Sequence, residues 1–328
     1  MMRAGKAVAA AGMLTGGMLL AALHGNHDYR VAAHQAAVLP VGAQRIRVLH
    51  ISDEHFMPGN HKLADFITSL ASLNPDLVVS TGDSLASDAA LDAYLAAHQR
   101  LFTVPGVFVF GSNDYFKPVL KNPLRYLAGS RWATASRVPN AALSWERLKS
   151  AFDDIGWKDV SNQAWRTCLG GIQVTFKGTD DAHLGLDDYG KAIESANISA
   201  RTSAMQHPPQ RREEITTNLS AELVIGVTHS PYRKVLDAMS ADGVDVIFAG
   251  HTHGGQVCLP GGRALTTNCD LPTALASGLH RYRNTWLHVC PGLGTNPYTP
   301  LRLNCAPRAC IIDLVATEVG SVNSTGEF

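Results

Sequence analysis

The stretch VDVIFAGHTHGGQ, residues 244–256, joins an apolar run to a tip of glycines and histidines. Val244 to Ala249 is rich in β-branched and aromatic residues, which predicts a strand. The tip Gly250-His251-Thr252-His253-Gly254-Gly255 follows at once. Imidazole is the commonest transition-metal ligand, and glycines allow the backbone to turn tightly beside it. The stretch therefore predicts a strand that ends in a candidate metal site.

Four other predicted strands end in polar tips of the same kind. They cover residues 45–51, 76–79, 106–110 and 223–227, and their tips are Asp53-x-His55, Gly82-Asp83, Gly111-Ser112-Asn113-Asp114 and Thr228-His229. One such tip could be an ordinary helix cap. Five tips in the same position predict that Asp and His side chains meet at one site.

Helical spacing of apolar residues over 62–73 and 88–100 separates the first three strands. This alternation of strands and helices predicts βαβ units and a mainly parallel sheet. Such sheets carry their chemistry at the carboxyl ends of the strands, where the tips lie. We therefore expect one elaborate α/β domain.

The later part of the chain predicts further helices and strands. The helices cover residues 145–155 and 231–239, and the strands cover 165–168, 171–177, 287–290 and 310–315. We interpret the last two strands as closing a second sheet. Residues 115–144 have no clear period, so they are either an insertion that caps the site or an ordinary surface loop. Residues 183–221 are polar, and we expect them to be irregular.

The N-terminal segment predicts membrane association. Arg3 and Lys6 precede an uncharged stretch, Ala7 to Leu23, that lies at the short limit for a bilayer span. No clean A-x-A cleavage site follows it, so we favour an uncleaved anchor over a removed signal peptide. The two basic residues favour an extracytoplasmic catalytic domain. The predicted organisation is an anchor at 1–24, a spacer at 25–44, a catalytic domain at 45–318 and a C-terminal tail at 319–328.

Composition disfavours one class of partner and leaves other properties open. Lys plus Arg and Asp plus Glu number 28 each, so no global field attracts nucleic acid, and no stable nucleic-acid partner is expected. The six cysteines form no C-x-x-C pair. Cys305 and Cys310 could pair outside the cytoplasm, and otherwise we expect free buried thiols. The oligomeric state stays open.

In their order, the five tips resemble the motifs of the calcineurin-like metallophosphoesterase superfamily, normally D-x-H, G-D, G-N-H-D/E, G-H and G-H-x-H. The resemblance covers about residues 46–315. The segments Asp180-Asp181 and Gly292-Leu293-Gly294-Thr295 also resemble the small, often membrane-associated bacterial members. The resemblance implies a four-layer α/β/β/α sandwich with two central mixed sheets. It also implies two divalent metal ions, of Mn, Fe, Zn or Mg, whose ligands would be Asp53, His55 and His253 for one ion, Asp83 for both, and His229, His251 and an Asn for the other.

The resemblance further implies hydrolysis of a phosphate ester, with Asp83, Asn113 and His251 as catalytic residues. A hydroxide that bridges the two ions would attack phosphorus in line while the ions neutralise the phosphoryl oxygens. The substrate could be a phosphomonoester, a phosphodiester or a lipid-linked pyrophosphate. An alternative is a membrane-tethered protein of the same fold that binds metal or a phospholigand with little turnover.

The third tip departs from the family pattern. Alignment of G-N-H-D with Gly111-Ser112-Asn113-Asp114 places Ser112 at the metal-binding Asn and Asn113 at the catalytic His. Either a local shift lets Asn113 supply its amide oxygen to the second ion, which we favour, or Ser112 or a water takes that position. In both cases the imidazole that would protonate the leaving oxygen is missing, at a cost of roughly 10²–10⁴-fold for poor leaving groups. Gly25-Asn26-His27-Asp28 also spells the third motif, but it precedes the first strand, so we interpret it as a coincidence.

Overall fold

The apolar runs of the sequence form strands in a computed structural model, which describes residues 22, 25–119, 141–206 and 222–317. The strands within these ranges are β1 (Arg30–Leu39), β2 (Ile46–Ile51), β3 (Leu77–Ser80), β4 (Gly106–Phe108), β5 (Lys158–Asp159), β6 (Ala164–Leu169), β7 (Ile172–Gly178), β8 (Glu222–Val227), β9 (Val246–Ala249), β10 (Gly278–Tyr282), β11 (Thr285–Val289) and β12 (Arg308–Ala316). The helices are α1 (His61–Leu70), α2 (Leu91–His98), α3 (Ser112–Tyr115), α4 (Trp145–Ile155), α5 (Tyr189–Gln206) and α6 (Arg233–Ala241).

The strands form two mixed sheets of six strands each. The first sheet has the order β1-β12-β2-β3-β4-β5, and the second has the order β10-β11-β9-β8-β7-β6. In the first sheet only the pair of β12 and β2 is antiparallel. In the second sheet the two outer pairs, β10 with β11 and β6 with β7, are antiparallel. Each strand that carries one of the five tips, β2, β3, β4, β8 or β9, therefore pairs in parallel with at least one other of these strands.

Alternation along the strands builds the layers. Val48 faces a core cluster between the two sheets, whereas its neighbour Leu49 faces the helices. On the outer side of the first sheet, α1, α2 and α4 supply buried residues such as Leu63. On the outer side of the second sheet, Leu236 and Met239 of α6 pack in one cluster with residues of β9 and β11. Burial of each such side chain stabilises the fold by about 1.5–3 kcal/mol. The predicted α/β/β/α sandwich is confirmed.

Helix α1 shows how local sequence fixes one element of this frame. Asn60 precedes the helix, and its side chain accepts a hydrogen bond from the Leu63 amide at 3.4 Å. Leu63 and Ile67 lie one turn apart on the buried face. A short 3-10 turn follows, and it ends at Asn74, whose φ of 50° reverses the chain before Pro75. The helix therefore begins and ends close to where its sequence predicts.

Two segments differ from the sequence expectation because strand pairing joins distant parts of the chain. The predicted spacer 25–44 contains β1, which pairs in parallel with β12 at the edge of the first sheet. The strand predicted at 310–315 belongs to β12 and lies in the first sheet, between β1 and β2, rather than in the second. It fits there because it is apolar on both faces: Ile312 points between the sheets and Ile311 points to the helix layer.

The region predicted to be irregular, 183–221, contains α5. Three buried residues in the first part of this helix, Tyr189, Ala192 and Ala196, follow helical spacing, but two of them are small. The helical periodicity of apolar residues in the sequence is therefore weak, which is why this helix was not predicted. The short strands β5 and β10 were also not predicted, because each has few apolar residues.

Several predictions fall wholly or partly outside the described ranges. These are the anchor at 1–24, the middle of the 115–144 insertion, residues 207–221 and the tail at 319–328. Within the described ranges, none of the helices combines the length and apolar character that crossing a bilayer requires. The structure places the Cys305 thiol beside Cys258 rather than Cys310. The thiols of Cys305 and Cys258 both donate to the Gly254 carbonyl oxygen, at 3.4 and 3.2 Å respectively.

Candidate metal centre

The backbone turns sharply at the predicted ligands. Five of them have φ values between 43° and 68°, in the left-handed region that residues with side chains seldom adopt: Asp53, His55, Asp83, His251 and His253. Each such residue costs about 1–3 kcal/mol and persists only where its surroundings hold it. The tips therefore store backbone strain at the place where the sequence predicts chemistry.

Backbone hydrogen bonds join neighbouring tips of the first sheet. The Asp53 amide donates to the Gly82 carbonyl oxygen, and the His55 amide donates to the Asp83 carbonyl oxygen, each at 2.9 Å. These bonds continue the pairing of β2 with β3 beyond the strand ends. The Asp53 and Asp83 side chains are thus held at the same edge of the sheet.

Close contacts also join the tips of the two sheets. The His251 amide, just after β9 of the second sheet, donates at 2.9 Å to Oδ2 of Asp53, which follows β2 of the first sheet. Within the second sheet, the Gly250 amide donates to the His229 carbonyl oxygen at 2.9 Å. A Cβ atom at Gly250 would overlap Ser52 Oγ and lie 2.6 Å from Asp53 Oδ2. Glycine is therefore required at position 250 for the second sheet to approach the first.

Asp53, His55 and His253 form the first ligand cluster. The Nε2 atoms of the two histidines lie 3.3 Å apart, and His253 Nε2 lies 3.5 Å from Asp53 Oδ1. His253 Nδ1 faces the Gly294 carbonyl oxygen at 3.2 Å, which assigns the ring proton to Nδ1 and a lone pair to Nε2. Ser52 Oγ donates to Asp53 Oδ2 at 2.6 Å, which directs Oδ1 towards the cluster.

Asp53, Asp83 and His229 form the second cluster, so the two clusters share Asp53. His229 Nε2 lies 3.5 Å from Asp83 Oδ1, and His229 Nδ1 donates to the Thr81 carbonyl oxygen at 2.6 Å. The other oxygen of Asp83, Oδ2, lies 3.6 Å from His55 Nε2. Asp83 therefore belongs to the second cluster and also approaches His55 of the first, and its role as the bridging ligand stays a prediction.

The chemistry of this donor set fits divalent cations. Asp53 Oδ1 and His229 Nε2 are buried and make no hydrogen bond within the described part of the chain. A buried polar atom without a partner costs about 1–3 kcal/mol, and a charged one costs more. Carboxylates and imidazoles that converge in this way suit Mn, Fe, Zn or Mg. The residues present therefore fit two metal ions, and their identity stays open.

The electrostatics of the clusters favour added positive charge. Burial raises the pKa of Asp53 to about 6 against the opposing charge of His229, and the Asp83 carboxylate adds to the rise. Burial also disfavours ionisation of Asp83, but His229, His55 and two hydrogen bonds from Asn113 outweigh it and lower the pKa of Asp83. Burial disfavours the His229 imidazolium, but Asp83 and Asp53 outweigh that effect and raise the pKa of His229 to about 9. Without metal, His229 thus holds the proton that a cation would displace.

His251 lies beside the clusters and belongs to neither. Its ring meets that of His229 edge-on at 5.3 Å, and its Nε2 lies 3.3 Å from the Asn268 carbonyl oxygen. Burial, reinforced by nearby His183 and His229, lowers the pKa of His251 well below its ordinary value. Its imidazole is therefore neutral, as a metal ligand must be. Its role as a ligand of the second ion stays a prediction.

The third tip is held against Asp83. The Asn113 amide donates to Asp83 Oδ1 at 2.7 Å, and Asn113 Nδ2 donates to Asp83 Oδ2 at 2.6 Å. Ser112 Oγ accepts a longer bond from Asn113 Nδ2 at 3.4 Å. Asn113 could supply an amide oxygen to a metal only after its side chain turns over. Which of the two residues serves as a ligand therefore stays open.

The clusters open onto a pocket. Its lining includes the predicted catalytic residues Asp83, Asn113 and His251, together with the predicted ligands His55 and His253. Polar residues that were not predicted complete the wall, among them His183, Gln256, Asn268 and Asn296. A ligand in this pocket can therefore reach the metal site and several hydrogen-bonding groups at once.

Asp114 is a structural residue of the site that sequence reasoning did not assign. Its buried carboxylate accepts hydrogen bonds from the amides of Asp83 at 2.7 Å, Ser84 at 2.8 Å and Gly111 at 2.9 Å. Burial, with help from Asp83, raises the pKa of Asp114 to about 7 despite these three donors. The residue fixes the second and third tips to each other, and its place at the end of a motif was the signal that could have identified it.

Arg302 supports the site without any signal in the local sequence. The residue is 1% exposed, and its Nη2 donates to the carbonyl oxygens of Pro291 at 2.8 Å, Gly292 at 3.1 Å and Gly294 at 2.7 Å. Gly294 also accepts from the ring of His253. Arg302 therefore positions a metal ligand through the loop that follows β11.

Comparisons of the sequence with known proteins identify its family. A sequence model of calcineurin-like phosphoesterases matches residues 46–255, which hold all five tips. The chain is 27% identical over 281 residues to a protein of Bacillus subtilis strain 168 named Uncharacterized protein YpbG, with 84% of each chain covered. It is 25% identical over 258 residues to the Uncharacterized metallophosphoesterase YkoQ of the same strain, with 76% of this chain and 77% of that protein covered.

Among solved structures, the fold is similar to that of the NAD nucleotidase NadN from Haemophilus influenzae. The TM-score is 0.43 at 14% sequence identity, and the match covers 76% of this chain and 51% of that one. Since the family match covers more than half of the chain, and includes ligands from both sheets, this protein belongs to the calcineurin-like phosphoesterase family.

Proposed function

We propose that this protein hydrolyses a phosphomonoester or a phosphodiester with the help of two divalent metal ions. One observation carries the proposal: ligand atoms from both sheets converge into two overlapping clusters that share Asp53 and open onto a polar pocket. Family membership supports the reaction class. The substrate within that class is part of the proposal.

When bound, two divalent ions supply charge neutralisation at the phosphoryl group and a reactive water at neutral pH. The residues of the chain hold and orient this chemistry. Thr81 and Gly294 fix the Nδ1 protons of His229 and His253, so that Nε2 of each ring faces the centre. Asn113 holds both oxygens of Asp83 in place. Burial of Asp53 and His229 excludes bulk water, which strengthens their attraction for a cation.

The alternative is a binding protein of the same fold with little turnover. It rests on Asn113, which stands where the family has a catalytic His and which donates to Asp83 instead of facing a leaving group. A protein of this kind would load metal and bind a phosphorylated ligand but release it unchanged.

Hydrolysis assays on the full chain distinguish these functions. The chain is stripped of metal, resupplied with Mn, Fe, Zn or Mg, and assayed with p-nitrophenyl phosphate and bis-p-nitrophenyl phosphate beside an Asp83→Asn control. We expect metal-dependent turnover of at least one ester in the wild type and a loss of about 10³-fold or more in the control. Metal binding without turnover of either ester would favour the binding protein. The assay uses the full chain because a fragment that begins at residue 40 would lack β1.

A lipid-linked phosphate or pyrophosphate is a second proposal, supported by contacts at the end of the N-terminal apolar stretch. The Arg302 amide donates to the Ala22 carbonyl oxygen at 3.0 Å, and Thr295 Oγ1 donates to Asn26 Oδ1 at 3.2 Å. Asn296, the neighbour of Thr295, lines the pocket. If the stretch inserts into a bilayer, these contacts hold the pocket close to it.

The test compares the full chain with a variant that lacks residues 1–21, on a lipid phosphate in vesicles and on p-nitrophenyl phosphate. We expect the deletion to lower turnover of the vesicle substrate and to leave that of the soluble ester unchanged. Equal turnover of the vesicle substrate by both proteins would remove the lipid proposal.

A further inference from the structure

The pocket contains an imidazole that the metal clusters do not use. Of the four histidines that line it, His55 and His253 belong to the first cluster and His251 is a predicted ligand of the second ion. The fourth is His183, which lies in the loop between β7 and α5. The family pattern places a catalytic histidine in the third motif, where this chain has Asn113. The pocket therefore holds an additional imidazole where the motif lacks one.

Hydrogen bonds fix the loop of His183 to the loop that carries His229. Asp181 Oδ1 accepts from the His183 amide at 3.0 Å and from Ser230 Oγ at 2.6 Å. Two residues earlier, Thr179 Oγ1 donates to Thr228 Oγ1 at 2.9 Å. Asp181 and Ser230 are both fully buried. A buried network of this kind holds the backbone of His183 at a constant distance from the second metal cluster.

The ring of His183 is held as well. Its Nδ1 lies 3.0 Å from the Tyr232 hydroxyl, and its ring centroid lies 4.8 Å from that of His251. Tyr232 immediately precedes α6, which makes the hydroxyl a partner on a regular element. Nδ1 faces the Tyr232 hydroxyl, so Nε2 is the other ring nitrogen, and it carries the ring proton when that hydroxyl donates to Nδ1.

Asn113 is not equivalent to this imidazole. Both its backbone amide and its side-chain Nδ2 donate to the Asp83 carboxylate, at 2.7 and 2.6 Å. A side chain that saturates a metal ligand in this way is a poor donor to a substrate oxygen. The geometry therefore separates two tasks: Asn113 orients Asp83, and His183 faces the ligand.

We propose that His183 is a catalytic residue that donates a hydrogen bond from Nε2 to a phosphoryl oxygen of the substrate. The inference rests on the proposed function, because it assumes that a phosphate ester occupies the pocket. In this chain the imidazole that contacts the substrate would lie on the loop after β7, whereas the family has it in the third motif, after β4. A donor aimed at a developing phosphoryl charge contributes to transition-state stabilisation, and its loss costs about 10²–10³-fold in kcat.

The experiment uses the full chain loaded with Mn²⁺ and compares His183→Ala with wild type and with His61→Ala, a control at an exposed position at the start of α1. Three quantities are measured: Mn²⁺ per chain, kcat/KM for p-nitrophenyl phosphate, and the affinity for inorganic phosphate by calorimetry. We expect His183→Ala to keep the wild-type Mn²⁺ content, to lose about 10²-fold in kcat/KM, and to bind phosphate about tenfold more weakly. His61→Ala should match wild type throughout.

Two results would overturn the inference. Loss of Mn²⁺ from His183→Ala would make the residue a metal ligand, and wild-type kcat/KM and phosphate affinity in the variant would make it structural. If the alanine variant fails to fold, His183→Asn keeps a polar side chain of smaller volume, and the same measurements apply to it. If the wild type binds phosphate but hydrolyses neither ester, the proposed hydrolase function is wrong. The phosphate titration then still tests the role of His183. A wild type that does not bind phosphate would overturn both.

Discussion

The Nε2 atoms of His55 and His253 lie 3.3 Å apart, and their rings stack with centroids 5.1 Å apart. His55 follows β2 of the first sheet, and His253 follows β9 of the second. Two nitrogen lone pairs at this distance repel each other unless a proton or a cation lies between them. A metal ion at this position would therefore join the two sheets as well as serve catalysis, which couples metal binding to the stability of the sandwich.

The first prediction concerns this coupling. An ion that binds only the folded state stabilises it by about 2.7 kcal/mol at 100 times its Kd, for each site. We expect Mn²⁺ to raise the urea midpoint of the metal-stripped chain, and we expect His253→Ala to lose most of that increase. Glu146, an exposed residue of α4, provides the control Glu146→Ala, which should keep the full increase. Identical midpoints with and without Mn²⁺ in the wild type would contradict the coupling.

The second prediction is a pH dependence of metal affinity. A metal ion must displace the proton of His229, whose pKa the neighbouring carboxylates raise against burial to about 9, and it needs Asp53 ionised, whose pKa burial raises to about 6. From pH 9 down to pH 6 one proton competes, so the apparent affinity falls about tenfold per pH unit, and below pH 6 a second proton steepens the fall. Calorimetric titration of Mn²⁺ at pH 6, 7, 8 and 9 measures this slope. An affinity that is constant over the range would show that His229 is not a ligand.

The raised pKa of His229 also makes the stability of the metal-free protein depend on pH, in the opposite direction to the metal affinity. His229 has a higher pKa in the folded chain, about 9, than its ordinary value of 6.5. Its protonation therefore stabilises the metal-free fold fully below pH 6.5, and this contribution is lost as the pH rises through 9. The gain in stability from added metal should accordingly be larger at pH 9 than at pH 6.5. Urea midpoints measured with and without Mn²⁺ at the two values test the sign.

The third prediction separates Ser112 from Asn113. Asn113 Nδ2 donates to Asp83 Oδ2 at 2.6 Å, whereas Ser112 Oγ accepts a longer bond from Asn113 Nδ2 at 3.4 Å. We expect Asn113→Ala to reduce the affinity for the second Mn²⁺ about 10–100-fold, because Asp83 Oδ2 loses its side-chain donor and only the backbone bond to Oδ1 remains. Ser112→Ala should change it little. A larger loss from Ser112→Ala would instead identify Ser112 as the residue that takes the place of the family's Asn ligand.

Local sequence was sufficient for the tips, because each ligand directly follows the strand that positions it. Asp53, Asp83 and His229 could be identified from an apolar run and the few residues after it. The sequence could not predict that Asp53 belongs to both clusters, because this depends on how closely the two sheets approach at Gly250. The distance between tips on different sheets is a property of packing, and no local pattern encodes it.

Long-range partners account for the other differences. His50 lies within an apolar strand and gives no sequence signal, yet its Nδ1 lies 2.7 Å from Nδ1 of His288 between the sheets. β1 was interpreted as a spacer because its stability comes from β12, near the other end of the chain. His183 is the first residue of the polar stretch 183–221, which the sequence predicts to be irregular. Its importance emerges only when the loop folds over His251.

The final prediction concerns Arg302, which is fully buried and whose guanidinium bonds three carbonyl oxygens of the loop after β11. A lysine has one ammonium group on a flexible stem and cannot reproduce this planar fork. In Arg302→Lys the Pro291 carbonyl oxygen loses its guanidinium donor, whereas the carbonyl oxygens of Gly292 and Gly294 keep the Arg308 amide and the His253 ring as donors. A buried carbonyl oxygen without a donor costs about 1–3 kcal/mol. We therefore expect a loss of about 1–3 kcal/mol in the free energy of unfolding of the metal-free chain, measured in urea.

The same change should weaken metal binding, because Gly294 receives bonds from both Arg302 and the His253 ring. Without Arg302 the carbonyl oxygen of Gly294 can shift, and His253 loses the partner that orients its Nε2. We expect about a tenfold loss of Mn²⁺ affinity. Arg30→Lys, which changes an exposed arginine paired with Asp28, should alter neither quantity. A folded Arg302→Lys variant with wild-type Mn²⁺ affinity would show that the loop holds His253 without the guanidinium.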